Sequence, residues 1–281
     1  KGPEQAVRRD RAGAKLVAKS KSMATEEIEL NHFLAKKNIE TIESDLGEFI
    51  IQLLDQKPYH FVTPAMHLSL EDIAKLFHER FETPLEATAE ELTMKAREIL
   101  REKYTTADIG ISGANFLVAD SGSIAITENE GNARLTTSFP KVHIAVVGIE
   151  KVIPSMADLD LFWPLLASHG TGQNLTVYNT LLSGPRKASE TDGPEEMYVI
   201  LLDNGRSNVL EQKDQRQGLY CIRCGACQNV CPVYRQASGH AYRSTYGGPV
   251  GAVLSPLACI AVFNPPALAP GPGLYAAVLA A

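Results

Sequence analysis

The chain has 281 residues, 44% of them apolar, with 27 Lys and Arg against 33 Asp and Glu and a formal charge of −6. That is enough apolar material for one large folded unit or two smaller ones. The acidic balance, with no basic stripe interleaved with aromatics, speaks against nucleic acid as a partner. The opening KGPEQAVRRDRAGAK starts with lysine, so a fragment is expected, and it has no apolar core for a signal or anchor. Pro256, Pro265, Pro266, Pro270 and Pro272 interrupt the apolar stretch at 250–281, so no membrane span and a cytoplasmic location are expected.

From residue 14 to about 204, short apolar runs alternate with amphipathic stretches, the β, α, β, α order of an α/β layer fold. AKLVAK at 14–19 predicts a buried strand. A helix follows with Thr25, Glu26 and Glu27 at its positive end, a stripe of Leu30, Phe33 and Leu34, and a stop at Lys36, Lys37 and Asn38. Residues 39–42 and 60–63 are strand candidates, and Ser69 and Thr88 start two helices. Thr88 and Glu91 form a capping-box pattern ahead of Leu92, Ala96, Ile99 and Leu100 at helical spacing.

The character changes at 109–127 (IGISGANFLVADSGSIAIT), where small residues, glycines and alternating apolar positions predict strands and turns. VHIAVV (142–147), LTVY (175–178) and MYVILL (197–202) are further strands, with a helix from about 156 to 168 among them. Asp203, Asn204 and Gly205 turn the chain out, and the charged stretch 211–217 predicts a helical connector.

Gly113, Gly122 and Gly131 stand beside Asn115, Ser121, Ser123, Glu130, Asn132 and Arg134. Two readings remain open: an anion or carboxylate pocket, or hairpins whose polar groups satisfy their own turns. The same choice holds for Lys19, Ser20, Lys21 and Ser22 after the first strand, either a binding loop of an open α/β sheet or a solvated loop. His143, inside a strand, is expected to be a satisfied core histidine. No GxSxG, HExxH, Walker or GxGxxG pattern occurs, and no catalytic nucleophile is expected.

Residues 221–232 read CIRCGACQNVCP, placing Cys221, Cys224, Cys227 and Cys231 in one CxxCxxCxxxCP run. Three thiolates three residues apart on a tight loop can meet three corners of a cubic iron–sulfur cluster, while the fourth, one residue further and followed by proline, points elsewhere. Zinc usually draws two ligand pairs from separate loops. A disulfide framework would need cysteines upstream, where there are none. The pattern therefore points to iron and sulfur. Cys259 stands apart and is expected to be a buried free thiol or a substitute ligand.

Several segments together carry a family resemblance: AKLVAKSKSMATEEIELN, GISGANFLVADSGSIAITENEGNARL, PKVHIAVVGIEKVIP, TGQNLTVYNTLLSGPR, CIRCGACQNVCPVYR and GHAYRSTYGGPVGAVLSPL. The chain resembles the lactate utilization protein B family of LUD-domain iron–sulfur proteins. The resemblance implies a LUD domain with a fold like the NagB, RpiA and CoA-transferase superfamily over residues 1–210. A partial α-helical ferredoxin-type module would occupy 211–257, and an atypical Pro/Ala-rich tail 258–281. It implies two [4Fe-4S] clusters in the family, with Cys221, Cys224 and Cys227 holding the first and Cys231 contributing to the second. It further implies electron transfer in the oxidation of L-lactate to pyruvate, beside sister subunits, as a carrier rather than the catalytic subunit. The relatives continue into another short cysteine motif that this chain lacks, so at most one cluster is expected here. The rival reading is a small carboxylate- or phosphate-binding LUD domain, with Lys19, Lys21, Glu130, Asn132 and Arg134 at its pocket and the cluster accessory. A third reading is a scaffold for the sister subunits.

Overall fold

The computed structural model describes residues 15–263 and 277–280, with side chains through Ser255. The chain opens with β1 (Leu16–Lys19), crosses α1 (Met23–Glu27) and α2 (Leu30–Ala35), and returns in β2 (Glu40–Glu43). Three helices, α3 (Leu46–Leu53), α4 (Leu70–Phe81) and α5 (Ala89–Thr106), then lead to β3 (Ile109–Ser112). Next come β4 (Phe116–Val118), β5 (Ser123–Glu128), α6 (Asn132–Ser138), β6 (Val142–Gly148) and β7 (Val152–Ile153). After α7 (Leu159–Thr171), β8 (Tyr178–Leu182) and β9 (Glu196–Leu202), the chain enters α8 (Arg206–Glu211). The cysteine region holds α9 (Ala226–Val230), α10 (Pro232–Ala237) and α11 (Gly248–Phe263), and β10 (Ala277–Ala280) closes the described chain.

The main sheet has the order β10-β9-β6-β3-β1-β2, parallel throughout except for β10 on its edge. Parallel strands are covered on both faces and read as continuous apolar runs, and β6 is buried at every residue. Alternation assigns the faces. Val17, Ile109, Ile111, Ile144 and Val146 pack with Leu30 and Leu34 of α2. On the opposite face Ala18 joins Phe49, Phe77, Leu92, Ala96 and Leu100 of α3, α4 and α5, while Ala145, Val147 and Val199 meet Leu117, Ile124 and Ile126. The latter belong to a second sheet, β7-β4-β5-β8.

Both expected helix starts carry capping boxes, Ser69 with Asp72 and Thr88 with Glu91. Other expectations change. Residues 60–63 form bends rather than a strand. Their apolar side chains pack in a loop whose backbone amides bond to His60 instead of a neighbouring strand. The helix expected from Thr25 to a stop at Lys36, Lys37 and Asn38 ends at Ala35 and is split, because Glu29 adopts a left-handed conformation (φ 50°). The strand expected at 175–178 begins at Tyr178 and pairs with β5. The 211–217 connector is helical only to Glu211, and resumes as a 3-10 turn at Arg216–Tyr220. Helices α3 and α6 were not expected.

The backbone of α11 continues through Pro256, against the expectation that proline interrupts this stretch. No helix among the described residues is long and apolar enough to cross a membrane. The other tail prolines lie outside the described residues, and Cys259 outside the described side chains.

Candidate functional site

Strand β1 has β2 on one side and β3 on the other. Connections leaving the two strands therefore diverge, and a crevice opens at their carboxyl ends, where open α/β sheets take ligands. A cleft of about 410 Å³ occupies that place. Its walls are Ser20, Lys21 and Ser22 after β1, Gly113 and Asn115 after β3, and Glu150 and Lys151 after β6. Thr127 of the second sheet and Glu130 in the turn after it add to the wall, and Ile222, Arg223 and Cys224 of the cysteine loop complete the enclosure. The two loops at the switch point touch closely. A Cβ on Gly113 would stand 2.6 Å from Ser22 Oγ and 3.0 Å from its Cβ, so a larger residue would force the Ser22 side chain to move.

The expected binding residues separate into two sets. Lys21, Glu130 and Asn132 line the cleft. The Lys21 ammonium donates to the Val62 carbonyl at 2.7 Å and stands 3.5 Å from Asp45. Glu130 accepts from the Leu46 amide at 3.1 Å, and burial followed by the Asp45 charge pushes its carboxyl up to about 7. Asn132 is the first residue of α6, just after left-handed Gly131.

Lys19 and Arg134 do not line the cleft. Lys19 is only 1% exposed and is held by Glu43 at 2.8 Å and Glu26 at 3.1 Å. Burial opposes its charge, but Glu43, Glu26 and Glu48 outweigh that and hold its pKa above the ordinary lysine value. Ser20 and Ser22 are buried too, which replaces the solvated-loop reading. The pattern KSKS could not reveal this, since the carboxylate that neutralises Lys19 most closely arrives from β2. Arg134 is exposed, with its guanidinium 5.1 Å from the Tyr178 ring centre. His143 is a core residue: its Nε2 meets Ser112 Oγ at 2.8 Å, its Nδ1 has no partner, and burial pulls its pKa down to about 4.

Sequence reasoning missed the residues that join the cleft to the cysteine loop. Glu150 takes Arg206 on one oxygen and Arg223 Nη2 at 3.2 Å on the other. Arg206 continues to Glu27 at 2.9 Å, which also accepts the Tyr246 hydroxyl at 2.6 Å. Arg223 stacks over the Tyr246 ring at 4.6 Å. Burial alone would raise Glu27, yet its bonds to Arg206 and Tyr246 hold its carboxyl below the usual range. Two carboxylates and two guanidiniums thus balance in a buried network, the condition under which charges are tolerated inside. Lys151 is different. Its amine makes no hydrogen bond or ion pair within 4 Å among the described residues, and burial, then Arg223, lower its pKa to about 8 against the attraction of Glu150. The only sequence signal for this set was the charged pair Glu150 and Lys151, two residues beyond the VHIAVV strand.

The four motif cysteines are free and half-buried. Their loop folds back through left-handed Arg223 (φ 65°) and Gly225 (φ 82°). The Arg223 amide donates to Cys221 Sγ at 3.4 Å. Burial raises the Cys227 thiol, the Val250 amide favours its thiolate, and the nearby Cys221 and Cys224 raise it further. Cys231 precedes α10, with Pro232 at the first helical position. Among the described residues no three His, Cys, Asp or Glu side chains are gathered to hold a single metal ion. Soft thiols without disulfides, on a compact loop with amides turned toward sulfur, suit an iron–sulfur cluster.

Comparison with known proteins agrees. Residues 9–202 match the model of the LUD domain, and residues 217–260 match that of the 4Fe-4S dicluster domain. The chain is 50% identical over 244 residues to lactate utilization protein B of Bacillus subtilis, covering 86% of this chain and 51% of that protein. It is 49% identical over 247 residues to the uncharacterized electron transport protein YkgF of Escherichia coli, covering 88% and 52%. The chain thus spans about half the length of these curated relatives. A crystal structure of a duf162 family protein from Deinococcus radiodurans is 18% identical, covering 55% of this chain and 92% of that one, with a TM-score of 0.28, too low to argue from.

Proposed function

Since the chain belongs to the LUD domain family and carries the 4Fe-4S dicluster match behind that domain, we propose that it is an iron–sulfur electron-transfer protein of L-lactate oxidation to pyruvate. In this reading Cys221, Cys224 and Cys227 hold the single [4Fe-4S] cluster of this chain, and Cys231 is the residue that in the family contributes to a second. The cluster, when bound, supplies one-electron transfer. The protein works in the cytoplasm beside sister subunits of a lactate-oxidising complex. The observation that carries the reading is the roofing of the LUD cleft by the cysteine loop, with Cys224 itself on the cleft wall.

The residues of the chain have distinct tasks in this account. Arg223 and Gly225 shape the loop, the Arg223 amide donates to Cys221 Sγ, and the Val250 amide favours thiolate at Cys227 against the burial that raises it. Glu150 and Arg206 anchor the loop to the LUD domain. The test is lactate-dependent reduction of an acceptor dye by the assembled complex. Cys224→Ala should abolish it and Arg134→Ala leave it near normal; the reverse ranking would refute the proposal.

A second reading is favoured by the free amine of Lys151. The cleft binds a small carboxylate or phosphate through Lys151 and Lys21, with Asn132 beside them. Calorimetric titration with L-lactate, pyruvate and inorganic phosphate tests it, and absence of heat with all three would sink it.

A further inference from the structure

Lys151 ends the 3-10 turn Ile149–Lys151 that follows β6, and it stands on the wall of the cleft. Its neighbour Glu150 is committed elsewhere, with one oxygen on Arg206 and the other on Arg223. The Lys151 side chain is half-buried, and its amine has no acceptor within 4 Å among the described residues. The other two lysines of the switch point are engaged: Lys19 by Glu43 and Glu26, Lys21 by the Val62 carbonyl and Asp45.

An amine withdrawn from water, set near a guanidinium and given no carboxylate of its own, loses its advantage as ammonium. Burial, then Arg223, bring its pKa from 10.5 to about 8. At pH 7 about a tenth of the molecules then carry the neutral amine, against roughly one in three thousand for an ordinary lysine. That is the condition in which a lysine acts as a nucleophile toward carbonyl carbon. The surroundings name the rest of the ligand. Glu27 and Glu150 already balance Arg206 and Arg223, so a protonated Lys151 leaves this corner one positive charge in excess and draws an anion. Arg223 and Lys21 line the same cleft. The smallest molecule that offers both a carbonyl to an amine and a carboxylate to cations is a 2-oxo acid.

We propose that the Lys151 amine condenses with the carbonyl carbon of a small 2-oxo acid seated in the cleft, which makes the LUD domain a carbonyl-activating site as well as the support of the cysteine loop. The inference deepens the small-carboxylate reading of the cleft and rests on it. The nitrogen lone pair adds to the carbonyl carbon as the C–O π bond breaks. A proton passes from nitrogen to oxygen, and loss of water leaves a C=N bond. Amine and ketone give imine and water, with no oxidant or reductant consumed.

The experiment treats the full chain with pyruvate and cyanoborohydride, which delivers hydride to the imine and fixes it as a secondary amine, and locates the adduct by peptide mass mapping. The expected result is a saturable adduct concentrated on Lys151. Total adduct should fall at least about tenfold in Lys151→Met and in Lys151→Arg, which keeps the charge but has no condensing amine. It should be unchanged in Lys141→Met, an exposed lysine paired with Glu195 away from the cleft. Adduct spread evenly over the exposed lysines, or undiminished in both Lys151 variants, overturns the proposal. Equal labelling by acetone, which has the carbonyl and no carboxylate, overturns the assignment to an oxo acid. Calorimetric heat with pyruvate but no adduct at Lys151 removes the imine and leaves the carboxylate reading standing, whereas neither heat nor adduct removes both.

Discussion

Arg223 of the cysteine loop and Glu150 behind β6 form an ion pair at 3.2 Å, with their side chains 9% and 3% exposed. The pair ties the roof of the cleft to its wall. Glu150 also carries Arg206, so the carboxylate compensates two buried guanidiniums.

Glu150→Gln should therefore cost about 3–5 kcal/mol, the usual result of leaving a buried charge unpaired. Urea unfolding measures it. Glu195→Gln, whose pairs with Lys141 and Arg186 are solvent-exposed, should cost less than about 1 kcal/mol. Equal costs would show that the buried network does not anchor the loop.

Gly225→Ala places a methyl 2.8 Å from Val62 Cγ2 at a residue with φ of 82°. Both the clash and the left-handed backbone count against it, and a loss of roughly 1–3 kcal/mol is expected, with reduced iron uptake. Gly122→Ala, also left-handed but with nothing within 4 Å, carries the backbone cost alone and should leave iron uptake unchanged.

Glu48 supplies a pH signature. Burial, then the neighbouring Glu43, push its carboxyl from 4.5 up to about 8. The folded chain therefore holds this proton more tightly than the unfolded chain. Its contribution is fully present below pH 4.5 and is lost as pH rises toward 8. Each unit of such a shift is worth about 1.4 kcal/mol. Glu48→Gln should flatten the decline in stability across that window, as urea unfolding at a series of pH values would show. Parallel declines in the wild-type and Glu48→Gln chains would contradict the assignment.

Lys151→Met should weaken binding of a small carboxylate in the cleft at least tenfold, because it removes a cleft-lining amine that makes no ion pair within 4 Å among the described residues. Arg134→Ala should leave binding unchanged, at a cost of about 0.5–1 kcal/mol for the exposed contact with Tyr178. Calorimetry distinguishes the two. Equal effects would place the ligand outside the cleft.

The legible parts of this molecule were those that depend on neighbours in sequence. The strand β6, the capping box at Thr88 and the CxxCxxCxxxCP loop each declare themselves within a dozen residues. What escaped depends on distant partners. Lys19 and Lys21 look alike in KSKS, and only the carboxylates of Glu43 and Glu26 pull one into the core while the other turns to the cleft. Helix α6 was hidden because Asn132 and Arg134 follow a glycine and resemble turn residues; Glu128 accepts the Ala133 and Arg134 amides and starts the helix. The bends at 60–63 look like a strand because their apolar residues pack like one, and nothing local tells that His60 is bound for the cysteine loop.

The central claim is that the cysteine loop over the cleft holds an iron–sulfur cluster. Anaerobic reconstitution with iron and sulfide, followed by iron and sulfide counts and EPR of the reduced chain, tests it most directly. The account predicts about four irons per chain with a cubane signal, lost in Cys224→Ala. Iron near zero in a folded chain, or an equal count in Cys224→Ala, would contradict it.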